Sequence, residues 1–435
     1  LIQIKKRCEY YEIPFEISRD YGTTLFPRKE GSKQYSIKIP GRVVLDVPVM
    51  LRMNQYSFNN YSLNYVASEL LGKRKEIELS DEEKINEINR LFKNDKCSLA
   101  HYNLVDAKLT KEIFDRTNLL DNAVERSKHS GQLIDRTGGS ISSFDYLYLP
   151  LFHREGYISN NVSDVSSSNV ALSGGYVMDS KPGLYENVLL LDFKSLYPTI
   201  ILSFYIDPLG SFVKNSNSVK GPSGFSFSRD KTILPGIISQ LLYARAKAKK
   251  TGNQPLSYAI KILMNSFYGV LGSPGCRFFS PDLAGAITGT GQYILKKKKT
   301  YIEQNTPFNI IYGDTDSIFV LLGENFEHKA EKNGQDIVIS VNSWLKDYLK
   351  DKYNVDSYLE LEFESHFRHF FMPTIRGGTQ GSKKRYCGSI EKNGELKLIF
   401  KGLEFVRSDW TDLAKEFQNS LYLRVFKKKP VEHYI

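Results

Sequence analysis

The residues best equipped for chemistry are carboxylates placed at the ends of apolar runs. In IIYGDTDSIFVLL, Asp314 and Asp316 sit in a turn bounded by two apolar segments. A D-x-D in isolation is a turn former. Here buried strands on both sides would hold the turn rigid, so the two carboxylates repel each other unless a cation neutralises them. Asp192 follows the continuous apolar run Val188–Leu191, where a buried strand emerges. Taken alone it also suits a helix cap. As a third oxygen ligand it suits Mg2+, which takes a few carboxylates and keeps water and phosphate in its other positions. Two such ions, about 4 Å apart, would activate a hydroxyl and stabilise a leaving pyrophosphate.

The segment after Asp192 extends this chemistry. FKSLYP, from Phe193 to Pro198, offers backbone amides at Ser195, Leu196 and Tyr197 for a triphosphate. The Tyr197 ring could rest against a sugar and exclude a 2′ hydroxyl, although a lone tyrosine is more often a core residue. Further on, Arg245 and Lys249 share one helix face, and Lys261, Asn265 and Tyr268 share a face of the next helix. Donors facing each other across such a hairpin make an anion site, with arginine able to fork onto phosphate. Tyr268 and the small Gly269 could then pack against a base pair. GSKKRYCG places Lys383, Lys384 and Arg385 beside Tyr386, and Lys401 and Arg407 add charge further on. That pattern suits either a grip on a nucleic-acid backbone or a solvated strand edge.

These residues need elements to position them. With 435 residues the chain divides into two to four domains. Up to about Gly156 the pattern reads as short strands alternating with helices. One helix is announced by the capping box Ser80 and Glu83, with Ile85, Ile88, Leu91 and Phe92 as its buried face. SNNVSDVSSSNVALSGG, over 159–175, reads as a linker. A second loop is expected from Asn215 to Arg229. Helices follow over Pro235–Lys250 and Leu256–Val270, with a turn at Thr251–Pro255, and strands over Asn309–Tyr312 and Ser317–Leu322.

Composition narrows the partners. Lysine and arginine number 59 against 49 acidic residues, a formal charge of +10 that favours phosphate backbones. Cys8, Cys97, Cys276 and Cys387 lie too far apart for a zinc site or disulfide framework, which points to a reducing, cytosolic setting. No apolar run approaches the roughly 20 residues that cross a bilayer, and no signal peptide is expected at the N-terminus.

Three of these segments occur in the order of the family B DNA polymerases. DFKSLYP (Asp192–Pro198) is similar to the family's motif A, KILMNSFYG (Lys261–Gly269) to motif B and YGDTDS (Tyr312–Ser317) to motif C. KKRY (Lys383–Tyr386) resembles the element that holds the primer-template duplex. GGYVMDSKPGLYENV, RFFSPDLAGAIT, MPTIRGGTQGSKKRY and FKGLEFVRSDWTDLAKEF are nearest in wording to bacterial members. The resemblance covers nearly the whole chain. It implies an α+β multidomain fold: a palm with an antiparallel sheet flanked by helices, a two-helix fingers insertion and a partial RNase H-like exonuclease domain. The expected boundaries are 1–158 for the C-terminal part of a 3′-5′ exonuclease-like domain, 159–175 for the linker and 176–230 for the first part of the palm. Fingers then take 231–270, the second part of the palm 271–410, and the start of a thumb 411–435.

The same resemblance implies that Asp192 and Asp316, with the Phe193 carbonyl, bind two Mg2+ ions (or Mn2+) and that Asp314 supports them. Ser195, Leu196, Tyr197, Arg245, Lys249, Lys261 and Asn265 would hold a deoxynucleoside triphosphate. Tyr268, Gly269, Lys383, Lys384, Arg385 and Tyr386 would touch DNA. YNLVD carries Tyr102 and Asp106, which match the third proofreading exonuclease motif, while an acidic DxE pair of the first motif is absent. Proofreading is therefore expected to be degenerate or truncated, and the chain to be a fragment short of most of its thumb. The implied protein is a nucleoid-associated monomer that extends primers on DNA, with a sliding clamp as a partner of its full-length form. Two rival readings are a fragment that binds primer-template DNA without turnover and, resting on Asp106, a metal nuclease.

Overall fold

The computed structural model describes the chain apart from residues 28–36, 55, 59, 75–80, 137–138, 166–173, 214, 376, 393, 408 and 435, and apart from the side chains of 81 and 82. Two compact units share the chain. The first takes Leu1–Leu147 and Leu241–Leu263, the second Tyr148–Gln240 and Met264–Ile435.

The first unit is helical among its described residues. It holds α1 (Ile2–Tyr10), α2 (Val47–Met53), α3 (Leu63–Leu71), α4 (Asp81–Asn94), α5 (Lys96–Arg116), α6 (Leu119–Ser130) and the start of α7 (Ser140–Arg154). Isolated bridges such as Leu25 with Lys38 are the only β-pairing described there, so the expected alternation of strands and helices is not found. The core gathers Met50 and Leu51 of α2, Val66 and Ala67 of α3, and Leu109 and Ile113 of α5. Helix ends follow their side chains: Asp46 caps α2 through the Val49 amide and Asp95 caps α5 through the Ser98 amide. The expected cap residue Ser80 lies outside the described residues. The face predicted for α4 is also different: Leu91 is buried, but Ile85 and Phe92 are 61% and 62% exposed. Helical spacing alone does not say how wide a stripe the neighbouring helix covers.

The second unit is built on a six-stranded antiparallel sheet. Its strands are β1 (Gly183–Phe193), then β2 (Ser218–Lys220) and β3 (Ser226–Ser228), which form a separate two-stranded hairpin, then β4 (Asn309–Asp314), β5 (Ser317–Leu321), β6 (Leu361–Met372), β7 (Tyr386–Lys392) and β8 (Glu395–Lys401). The order in the large sheet is β4-β5-β1-β6-β7-β8. The β2–β3 hairpin occupies the stretch expected to be a loop, because Val219 and Phe227 supply apolar residues that a Ser- and Gly-rich composition masks.

Between the strands run α8 (Leu196–Phe204), α9 (Pro208–Phe212), α10 (Leu234–Lys250), α11 (Gln254–Leu271), α12 (Pro281–Asn305), α13 (Ala330–Tyr353) and, last, α14 (Asp412–Phe426). Helices α10 and α11 contribute to both units. Val188, Leu189, Leu190 and Leu191 of β1 are all buried, because the sheet is covered on both faces. Each such side chain contributes roughly 1.5–3 kcal/mol. On one face α13 approaches closely at Gly334, where a Cβ would lie 2.6 Å from the Phe363 ring. On the other, Tyr312, Phe319, Phe367, Phe370 and Tyr386 form an aromatic cluster with Val188 and Leu190. Among the described residues no helix is long and apolar enough to cross a membrane, and no cysteine is joined in a disulfide.

Candidate active site

Strand register brings the carboxylates together. In the β1–β5 pair Leu191 faces Ile318, which sets the end of β1 beside the β4–β5 turn. On its other side β1 pairs with β6, Asp192 opposite Glu362 and Phe193 opposite Leu361. The β1–β6 register shifts between Leu190, opposite Ser365, and Leu191, opposite Phe363, so that Glu364 of β6 is the extra residue beside the end of β1. Bulges re-aim side chains and terminate pairing next to functional sites.

The turn itself is held from outside. Thr315 adopts a left-handed conformation with φ 57°, its amide donates to the Tyr176 carbonyl at 2.9 Å, and the Met178 amide donates to the Gly313 carbonyl at 2.8 Å. Gly175 must lack a side chain there, since a Cβ would lie 2.4 Å from the Thr315 hydroxyl. Residues read as linker and palm entry thus clamp the turn.

The electrostatics separate the three aspartates. Asp314 is ion-paired: Lys384 Nζ donates to its Oδ1 at 2.8 Å and the Thr315 hydroxyl donates to the same oxygen at 3.0 Å. Asp192 has an inward-facing Oδ1 with no hydrogen-bond partner among the described residues. Burial, then the negative charges of Asp316 and Glu364, push its carboxyl up to about 7, against the opposing pull of the Lys298 ammonium. A carboxylate with one buried oxygen left without a donor and facing like charge is held in a form that a hard cation would relieve. The donor set, all oxygen, suits Mg2+, whose usual protein share is one or two carboxylates. Among the described residues no three or more Asp, Glu, His or Cys side chains gather into a cage, so substrate and water oxygens would complete the shell.

The neighbouring candidates divide. Ser195 is left-handed, φ 52°, and leads into α8, whose first turn holds Leu196 and Tyr197. The Tyr197 ring lies 4.8 Å from that of Tyr268, and burial with the charges of Tyr268, Asp316 and Asp314 pushes its hydroxyl up to about 12. Tyr197 therefore stands at the carboxylate end of the sheet. Asn265 and Gly269 are exposed on α11 in the second unit, while Arg245, Lys249 and Lys261 belong to the first. In KKRY, Lys383 pairs with Asp179 at 3.1 Å, Arg385 with Glu404, and Lys384 with Asp314. Tyr386 is turned into the aromatic cluster of the sheet, away from any surface ligand, because it is the first residue of β7. Tyr102 and Asp106 lie one turn apart on α5, Tyr102 buried.

Two residues escaped the sequence reading. Glu364 of β6 adds negative charge to Asp192. Lys298 of α12 is fully buried, lies 4.2 Å from the Phe193 ring centre and donates from Nζ to the Asp316 carbonyl at 3.1 Å. Its signal was present: in the run Lys296–Lys299, only position 298 falls on the buried face with Gly291, Ile294, Leu295 and Ile302.

Comparison with known proteins identifies the family. Residues 136–434 match the model of DNA polymerase family B. DNA polymerase II of Escherichia coli is 44% identical over 443 residues, covering 100% of this chain and 56% of that protein. The DNA polymerase of Thermococcus gorgonarius is 27% identical over 453 residues, covering 99% and 54%. That of Archaeoglobus fulgidus is 28% identical over 446, covering 99% and 51%. The chain thus spans about half the length of these relatives. The family match runs through β1, the β4–β5 turn and β7, the elements that carry the carboxylates and their partners, and the chain belongs to DNA polymerase family B.

Proposed function

We propose that the chain carries the nucleotidyl-transfer centre of a DNA-directed DNA polymerase, in which a primer 3′ hydroxyl attacks the α-phosphate of a template-matched deoxynucleotide and pyrophosphate leaves. The observation that carries this reading is the half-buried Asp192 carboxylate beside Asp316 at one rim of the sheet, whose inward Oδ1 has no hydrogen-bond partner among the described residues. Bound divalent ions would supply charge neutralisation and activation of the hydroxyl. Asp192 and Asp316 would hold them, with the Phe193 carbonyl adjacent.

The remaining roles belong to the chain's own groups. Asp314, paired to Lys384, fixes the turn and joins it to the KKRY segment. Backbone amides at Ser195, Leu196 and Tyr197, at the start of α8, would receive phosphate oxygens. Tyr197 packed on Tyr268 would form the floor under the sugar and exclude a 2′ hydroxyl. Arg245, Lys249, Lys261 and Asn265, as fingers residues, would bind the triphosphate, and Lys383 the duplex backbone. The sheet and its helices would be the palm.

Primer extension tests the reading. The wild-type chain is expected to extend a primer in Mg2+, and Asp192→Asn and Asp316→Asn to abolish extension. Extension that survives either substitution overturns it. The alternative outcome is binding without turnover. Salt-dependent binding of primer-template DNA with no extension would select it.

A further inference from the structure

Lys298 is an ammonium placed where its helix is otherwise apolar. Its neighbours in the run reach outward: Lys296 and Lys297 are exposed, over the rings of Tyr176 and Tyr293, and Lys299 pairs with Glu303. Lys298 alone is 0% exposed. A methionine would fill the same space without losing the hydration of a charge, which is costly unless opposite charge is close by. That charge comes from Asp192 and Asp316, both of which act on the ammonium. Its Nζ donates to the Asp316 carbonyl, so the amine ties the D-x-D turn to α12 through the backbone. Asp192 Oδ1 stays without a donor. Lys298 therefore acts on that carboxylate through its field and leaves the oxygen open for a ligand.

We propose that Lys298 is a resident cation of the carboxylate centre: it pins Asp316, offsets the charge of Asp192 and Asp316 so that they can stand together without a metal ion, and thereby weakens the centre's hold on a divalent ion. The part concerning the ion rests on the reading of the centre given above. Lys298 is a positioning residue. Being wholly buried, it does not itself reach substrate. Its charge lowers the net negative potential of the centre, so divalent binding is weaker and more readily reversed than two bare carboxylates would make it.

The test compares the wild-type chain with Lys298→Met, Asp192→Asn and the double variant. Thermal unfolding in EDTA reads the charge offset, and electron paramagnetic resonance of added Mn2+ reads the affinity. Lys298→Met is expected to lower the unfolding midpoint, and Asp192→Asn to return most of that loss in its presence while returning little in the wild-type background. Mn2+ is expected to bind Lys298→Met roughly tenfold more tightly than wild type. Equal effects of Asp192→Asn in both backgrounds overturn the proposal, as does Mn2+ affinity that is unchanged or weaker in Lys298→Met. If Lys298→Met alone does not fold, folding of the double variant supports the proposal and failure of the double variant overturns it. A wild-type chain that binds no Mn2+ would instead remove the metal reading, leaving the unfolding cycle to decide the charge offset.

Discussion

Two aspartates flank α8, Asp207 buried and Asp192 half-buried, and have opposite surroundings. Asp207 is 0% exposed, and both its oxygens are saturated. Its Oδ1 accepts from the Tyr148 hydroxyl at 3.0 Å and the Gly210 amide at 2.9 Å, and its Oδ2 from the Ile233 and Leu234 amides at 3.0 and 2.6 Å. It caps α9 and satisfies amides at the entry to α10, while the Tyr148 hydroxyl in turn accepts from the Leu209 amide at 3.0 Å. Asp192 has an oxygen with no donor and like charges beside it. Burial raises the proton affinity of both carboxyls, so that shift does not tell them apart. The hydrogen-bond census does. A satisfied buried carboxylate binds its own chain together, whereas one left open beside another carboxylate is arranged for something that arrives.

The contrast can be broken at either end. Substituting Asp192 with Asn should cost on the order of a thousandfold or more in extension rate, since it removes ion-dependent stabilisation worth roughly 4 kcal/mol. The same variant should keep or gain stability in EDTA. Asp207→Ala should do the reverse. It strands the donors of Tyr148, Gly210, Ile233 and Leu234, and the loss should be about 3 kcal/mol or more by denaturant unfolding, with activity per folded molecule little changed. Tyr148→Phe is the gentler probe. It leaves the Leu209 amide without its acceptor and takes one donor from Asp207, so about 1–3 kcal/mol should be lost.

A pH series sharpens the comparison at the smallest scale. Asp192 is pushed up to about 7. As pH rises through that value Asp192 gains negative charge, and this favours a divalent cation. Mn2+ affinity should therefore climb as pH rises through about 7 and level off above it, as titration calorimetry would record. Affinity that falls with pH, or is flat from 5 to about 9, would contradict the assignment.

Much of the centre was legible because local signals and tertiary demands coincide. Val188–Leu191 read as a buried strand because the sheet is covered on both faces, and it lies within β1. The hairpin around Asp314 and Asp316 was marked by turn residues between apolar runs, and the helical pair by the break at Thr251. What stayed hidden depended on distant partners. Asp207 looked like any residue before proline, since its donors come from Tyr148 and from the start of α10. Lys298 vanished in a run of four lysines, and only its phase on α12 separates it from the exposed ones. The resemblance implied that Tyr386 touches DNA, yet the ring begins β7 and fills the core. The pattern of the preceding cations suited a nucleic-acid grip or a solvated strand edge, and did not show that Lys384 and Arg385 meet Asp314 and Glu404 of their own chain.

The most direct test is to locate the ion. Crystals of the chain with primer-template DNA, a non-hydrolysable deoxynucleoside triphosphate and Mn2+ should show anomalous density between the Asp192 and Asp316 carboxylates, with Asp192 Oδ1 as a ligand. Density elsewhere on the chain, or none at that rim with nucleotide bound, would contradict the account.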